Sequence, residues 1–214
     1  MTLEELKSSG KLVDVEQGSE PWLMARLGLV TASNFKFATS GGVGGADSKT
    51  KFSYLCALLS ERTTGNLVKR YRNAAMEWGT KNEPAARSMY EFETSSKVDQ
   101  VGFIKNGEHV GASPDGLVGD DGMIQIKCQE SHNHIANILK GKCPTVHLKQ
   151  IQGELWCCGR LWSDFVSFDP RNPFKDIFIV RVHRDEEFIR KLAEGINEFV
   201  AELLRQESIL KEAA

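Results

Sequence analysis

The sequence is short of positive charge, of long apolar runs and of a paired cysteine pattern, and each shortage removes a class of protein. Lysine and arginine number 27 against 29 acidic residues, a net charge of −2, so the chain lacks the basic surplus of proteins that coat nucleic acid along its length. A local basic patch stays compatible with that balance. No apolar run approaches the roughly 18 residues of a membrane-spanning helix, so no membrane partner is expected. The opening MTLEELKSSG is polar and acidic where a secretory leader would be basic and then apolar, and a cytoplasmic location is the corresponding expectation. The cysteines, Cys56, Cys128, Cys143, Cys157 and Cys158, are odd in number and two are adjacent, which is a poor disulfide framework. They read as reduced, mostly buried thiols. No internal repeat is visible.

What is present is 214 residues of ordinary globular composition, enough for one domain with a sizeable core, since domains commonly hold roughly 100–200 residues. Pattern divides the chain into a mainly helical part over about 1–92, a sheet core over about 93–183 and a C-terminal helix over about 185–212. Helical spacing appears at 3–8, 22–27, from 31 onward, 52–62 and 74–92. The glycine-rich SGGVGGADSKTK at 40–51 reads as a surface loop, and its spacing does not match a phosphate-binding P-loop. Strands are expected at 98–105, 109–113, 123–128, 161–168 and 176–183, with helices at 132–139 and 145–157 between them. In the last helix Phe188, Leu192, Ile196, Phe199 and Leu203 keep helical spacing. The order predicts an α/β fold.

The stretch GASPDGLVGDDGMIQIKC at 111–128 carries the chemistry. In MIQIKC the strand alternation puts Met123, Gln125 and Lys127 on one face and Ile124, Ile126 and Cys128 on the other. A two-residue turn at Asp120-Asp121 would set Gly116 opposite Gln125 with Asp115 beside it, and a slip of one residue would still bring Asp115, Gln125 and Lys127 together. Metal-assisted cleavage of a phosphodiester needs carboxylate oxygens to hold a hard cation such as Mg²⁺. It also needs a group to orient or deprotonate the attacking water, a role open to lysine. Asp115 suits the first task and Lys127 the second. A nuclease of this pattern wants glutamate where Gln125 stands. The plainer reading of the same residues is a turn aspartate and an edge-strand lysine.

Read in order, VEQGSEPW (15–22), RLGLVTAS (26–33), WGTKNEPAA (78–86), SPDGL (113–117), IKC (126–128), QIQGELW (150–156) and FDPR (168–171) resemble the phage lambda exonuclease family of recombination nucleases. The resemblance implies a restriction-endonuclease-like fold, a mixed central sheet flanked by helices. It also implies an ATP-independent, Mg²⁺-dependent enzyme that digests one strand of duplex DNA from its 5′ end, leaving 3′ tails for recombination. Two ions per site are implied, with Mn²⁺ as a substitute. Carried over residue by residue, Glu83 matches the helix-borne glutamate of the second metal, Asp115 the bridging aspartate, Lys127 the lysine and the Ile126 carbonyl a backbone ligand, while Gln125 takes the catalytic glutamate's place. Arg26, Ser33, Ser113 and Gln150 match the residues that hold the terminal 5′-phosphate. General chemistry agrees for two of them: Ser33 lies near an expected helix start, and Arg26 offers a planar, bidentate clamp. The implied partners are double-stranded DNA ends, two further copies in a ring-shaped homotrimer, and a single-strand annealing recombinase. The implied setting is a bacterial host cell, with phage or prophage origin.

Gln125 leaves two readings open: a catalytically impaired glutamate-to-glutamine form of such an enzyme, or a natural DNA-end-binding protein that kept the fold and lost the cutting. A third reading, a zinc module of Cys128, His132, His134 and Cys143, uses the right residue types at spacings that match no common finger.

Overall fold

A computed structural model describes residues 1–41, 48–68 and 73–213. Half of the glycine-rich loop expected at 40–51, residues 42–47, lies outside the described residues. The strands are β1 (Leu12–Val13), β2 (Val30–Thr31), β3 (Val98–Asp99), β4 (Phe103–Lys105), β5 (Val110–Ala112), β6 (Gly116–Val118), β7 (Gly122–Cys128), β8 (Trp162–Phe168) and β9 (Ile177–His183). The helices are α1 (Leu3–Ser8), α2 (Glu20–Ala25), α3 (Phe35–Ala38), α4 (Lys49–Thr64), α5 (Ala74–Thr94), α6 (Ser131–Lys140), α7 (Thr145–Cys158) and α8 (Glu186–Glu212), with a 3-10 turn at Ala32–Asn34 before α3.

Two mixed sheets form, in the orders β3-β6-β7-β8-β9 and β1-β4-β5-β2. In the larger sheet β7 and β8 run parallel, because the chain between them crosses over through α6 and α7. Alternation along β7 divides the core. Met123 packs with Leu117 and Phe165 on the side of α7 and α8, while Ile124 and Ile126 pack with Ala86 and Tyr90 of α5 on the other. A strand covered on both faces has little room for charge. Helix α7 lies between the sheets, touching β4 and β5 of the small one and β8 of the large one. It starts after Pro144 and ends at Gly159, whose positive φ of 63° supplies the left-handed cap. In α8 the N-cap Asp185 accepts a hydrogen bond from the Phe188 N–H, and Ile189, Leu192, Ile196, Phe199 and Leu203 form the buried stripe. Ile189 thus takes the core place expected of Phe188, which is only partly buried.

Three expectations are corrected. The single strand expected at 98–105 is two, because the chain changes sheets: β3 pairs with β6, β4 with β1 and β5. The switch occurs at Gly102, where a Cβ would sit 2.3 Å from the Val15 carbonyl oxygen, so only glycine admits the neighbouring backbone. The β6–β7 hairpin pairs Gly116 with Ile124 rather than Gln125, so its loop has three residues, Gly119, Asp120 and Asp121. Tertiary hydrogen bonds explain this register: the buried Arg160 donates to the Gly119 carbonyl at 2.7 Å, and the Leu161 N–H donates to the Asp121 carbonyl at 2.7 Å. Among the thiols, Cys157 and Cys158 are buried, Cys128 and Cys143 are half-buried, and Cys56 is exposed.

Candidate active site

Asp115 follows Pro114 at the entrance to β6, and its Oδ2 accepts hydrogen bonds from the Ile126 N–H at 2.6 Å and from the Gln125 amide. Gln125 projects from β7 and is 1% exposed; its Oε1 accepts from Gln150 Nε2 at 2.8 Å. The same Gln150 nitrogen donates to Glu154 Oε1 at 2.8 Å. A hydrogen-bonded chain therefore runs from the half-buried Asp115 through two amides to the buried Glu154. Gln125 both donates and accepts within it, which removes the usual cost of burying an amide. Glu154 is also 1% exposed, but its Oε2 has no hydrogen-bond partner among the described residues.

Burial pushes the Asp115 carboxyl up to about 7; Lys127 opposes this, Glu83 adds to it, and the Ile126 N–H and Arg87 oppose it. Burial likewise pushes Glu154 up to about 8, with Asp115 adding to the rise and Gln150, Lys127 and Arg26 opposing it. The Asp115 carboxylate is thus among the causes of the rise at Glu154. A cation placed between them would relieve both.

Asp115, Gln125, Lys127, Gln150 and Glu154 line a cavity of about 170 Å³ whose other wall carries Trp22, Arg26, Ser33 and Ser113. The Arg26 guanidinium lies over the Trp22 ring, 3.9 Å from its centroid, while Trp22 Nε1 donates to Ser113 Oγ at 2.9 Å. Ser33 Oγ lies 3.4 Å from Thr31 Oγ1. Gln17 pins the loop leading to Asp115 by donating to the Val101 and Pro114 carbonyls at 2.9 and 2.8 Å. The walls close up because α7 presents Gly153 to the Ser33 turn: a Cβ there would meet the Phe35 ring at 2.5 Å. A second cavity of about 240 Å³ shares Ser33, Lys127 and Gln150 with the first and adds Lys36, Lys149 and His147. His147 stacks on Phe165 and is pushed down to about 4 by burial, then by Lys127 and Lys36, so the charge of this recess is carried by lysines.

The cavity lining thus brings together Arg26, Ser33, Ser113, Asp115, Gln125, Lys127 and Gln150 of the residues singled out in the sequence. Ile126 joins through its backbone. Glu83 does not line the cavity; it sits on α5, ion-paired with Arg87 at 2.6 Å, within electrostatic reach of Asp115. Sequence reasoning passed over Gln17, Trp22, Arg87 and Glu154. One signal for Glu154 was available, since it lies four residues after Gln150 and hence one helical turn away on the same face. The zinc reading fails on hydrogen bonding: both His134 ring nitrogens are engaged, by Ser167 Oγ and the Lys175 carbonyl, each at 2.8 Å. Burial also raises the Cys128 and Cys143 thiols to about 12 and about 11, away from the thiolate that zinc binds.

Two mixed sheets flanked by helices, with an acidic residue at a hairpin entrance and a lysine on the next strand, define a restriction-endonuclease-like nuclease fold of the phage exonuclease type. Residues 21–161 match the YqaJ-like viral recombinase domain, and the chain belongs to that family. It is similar to an alkaline exonuclease, LHK-Exo, from Laribacter hongkongensis, with 39% identity and a TM-score of 0.84 over 91% of this chain and 97% of the other. The structure of LHK-Exo in complex with dAMP matches equally well. A phage related exonuclease from Haemophilus somnus 129PT shares the fold at 18% identity and a TM-score of 0.66, over 87% of this chain and 96% of the other. No curated protein matches the sequence. The chain is therefore a phage recombinase-type nuclease, similar to alkaline exonuclease. No described helix is long and apolar enough to cross a membrane.

Proposed function

We propose that the chain is a Mg²⁺-dependent 5′→3′ exonuclease that digests one strand of linear double-stranded DNA and leaves 3′ single-stranded tails. The observation that carries this reading is that Asp115 and Lys127 share one cavity with Arg26, Ser33 and Ser113, so a cleavage site and an anion clamp lie side by side. The donor set suits a hard cation: it consists of oxygens, and a buried Glu154 oxygen lacks a partner among the described residues. Asp115, Gln125 Oε1 and the Ile126 carbonyl would hold one ion, and Glu83 would contribute to a second. Mg²⁺, or Mn²⁺ in its place, would polarise the scissile phosphate and offset charge developing on its oxygens.

The chain's own groups supply the rest. Lys127 Nζ orients the attacking water. Arg26, held flat by Trp22, clamps the terminal 5′-phosphate with help from the Ser33 and Ser113 hydroxyls. Gln150 can join them by exchanging one of its two present acceptors for a phosphate oxygen. Lys36 and Lys149 in the adjoining recess receive the following backbone phosphates, so a local basic patch serves where the net charge does not. Gln125 contributes no charge, and activity is reduced relative to a glutamate at that position. A homotrimer encircling the duplex, a single-strand annealing recombinase that receives the 3′ tail, and a phage or prophage setting in a bacterial cytoplasm complete the proposal; sedimentation and co-purification test the first two.

One observation favours a second reading, a non-cleaving DNA-end-binding protein: the Gln125 amide is fully partnered without a cation. Linear duplex labelled at the 5′ or the 3′ end separates the two. The exonuclease reading expects early release of 5′ label with Mg²⁺ and none with a chelator. Stable binding of 5′-phosphorylated ends without release of either label supports the end-binding protein, and early 3′ release overturns the proposed polarity.

A further inference from the structure

We propose that Glu154 on α7 supplies the site's second carboxylate ligand for a divalent cation, in the place that Gln125 on β7 leaves uncharged. The inference rests on the nuclease reading and adds a residue to it. Glu154 lines the same cavity as Asp115, Gln125 and Lys127. Its side chain is 1% exposed, one oxygen accepts from Gln150, and the other meets neither donor nor acceptor among the described residues. An acid whose role was only to hold Gln150 would need one oxygen for that task. A glutamine of the same shape would hold a neighbour as well without bringing charge into the interior. Glu154 lines a cavity whose other acid is the half-buried Asp115, and two carboxylates, one with an oxygen uncommitted among the described residues, are donors of the kind a hard cation takes.

The network also gives Gln125 a task compatible with its amide. Gln150 donates to Gln125 Oε1 and to Glu154 Oε1 from one nitrogen, and Gln125 donates onward to Asp115. The amides thereby hold the two carboxylates in fixed relation. A glutamate at 125 could not donate to Asp115, so the present arrangement depends on the amide. Helix α7 can present Glu154 here because Gly153 lets it approach the Ser33 turn.

Calorimetric titration with Mn²⁺ of the intact chain, of Glu154→Gln, of Gln125→Glu and of the double variant tests this, with thermal melting in metal-free buffer as the check on folding. Since even residues that only support metal ligands cost about 10–100-fold in affinity when changed, Glu154→Gln is expected to weaken Mn²⁺ binding by about tenfold or more. In the Gln125→Glu background the same change is expected to cost much less, because the strand then carries a carboxylate. Unchanged affinity in Glu154→Gln, or equal losses in the two backgrounds, overturns the inference while leaving the nuclease reading intact. Absence of Mn²⁺ binding in every protein, Gln125→Glu included, overturns both. Should Glu154→Gln fail to melt cooperatively, Glu154→Asp takes its place: a measurable fall in affinity is expected from withdrawing the charge by one methylene, and no fall overturns the role.

Discussion

Gln125 on β7 and Glu154 on α7 are buried to the same degree, 1% exposed each, and are joined by one Gln150 amide, yet among the described residues the strand residue has a partner at both ends and the helix residue a partner for one oxygen only. The difference follows from what surrounds each. Strand β7 is packed by core clusters on both faces, and a neutral amide with its hydrogen bonds made is the polar group such a strand tolerates best. Both residues line one cavity, but Glu154 meets Gln150 with one oxygen and no described donor with the other, so it stays incomplete until something enters. Within one site, a fully satisfied polar group reads as scaffold and an unsatisfied one as a place for a ligand.

The comparison breaks most severely at the acid both elements share. Asp115→Ala should abolish calorimetric Mn²⁺ binding and lower digestion of 5′-phosphorylated duplex by about a thousandfold, because a unit charge near 4 Å is worth on the order of 4 kcal/mol at an effective dielectric of 20. Unchanged binding in that variant would place the cation elsewhere. Gln125→Glu sharpens the contrast from the strand side: a carboxylate there should raise Mg²⁺-dependent digestion roughly a hundredfold, the same contact discounted for the relaxation of real sites. If the unaltered chain already cuts as fast, Gln125 does not stand at the carboxylate position. Arg26→Ala addresses the opposite wall. The advantage of 5′-phosphorylated over 5′-hydroxyl ends should fall by about tenfold or more, as expected for loss of a charge-assisted contact, whereas equal losses on both substrates would reduce Arg26 to a general backbone contact.

The smallest effect expected is on stability against pH. Asp115 rises from 3.8 to about 7 on folding and Glu154 from 4.5 to about 8. Because the folded pKa lies above the unfolded one, the stability these acids contribute is fully present below about pH 4 and is lost as pH rises through about 7 and then about 8. Metal-free protein should therefore melt at a lower temperature on the alkaline side of that window than on the acid side. Mg²⁺ should restore the difference, since it binds the ionised forms. A metal-free melting temperature that does not fall between about pH 6 and about pH 9 would contradict the assignment of both shifts.

Much of this frame was legible in the sequence. Helices with several turns and a buried stripe, α8 above all, announce themselves by periodicity, and β7, β8 and β9 are long enough to alternate. Of the small sheet only β4 and β5 fell within expected strands, because β1 and β2 have two residues each, too few to carry a period. The hairpin register depended on Arg160 and Leu161, residues about 40 positions further along that hold the loop carbonyls. In the site, Asp115, Gln125 and Lys127 could be grouped because strand geometry brings them together locally. Glu154 was passed over despite lying one helical turn from Gln150, because a glutamate on a helix reads as solvated until α7 is seen lodged between two sheets. The missing partner of its second oxygen is a purely tertiary fact.

A crystal of the unaltered chain with a 5′-phosphorylated duplex and Mn²⁺, read by anomalous scattering, tests the account most directly. The predicted result is a Mn²⁺ peak within ligand distance of both Asp115 and Glu154 Oε2, with the terminal phosphate on Arg26. A peak away from Asp115, or a duplex end bound away from the cavity, would contradict it.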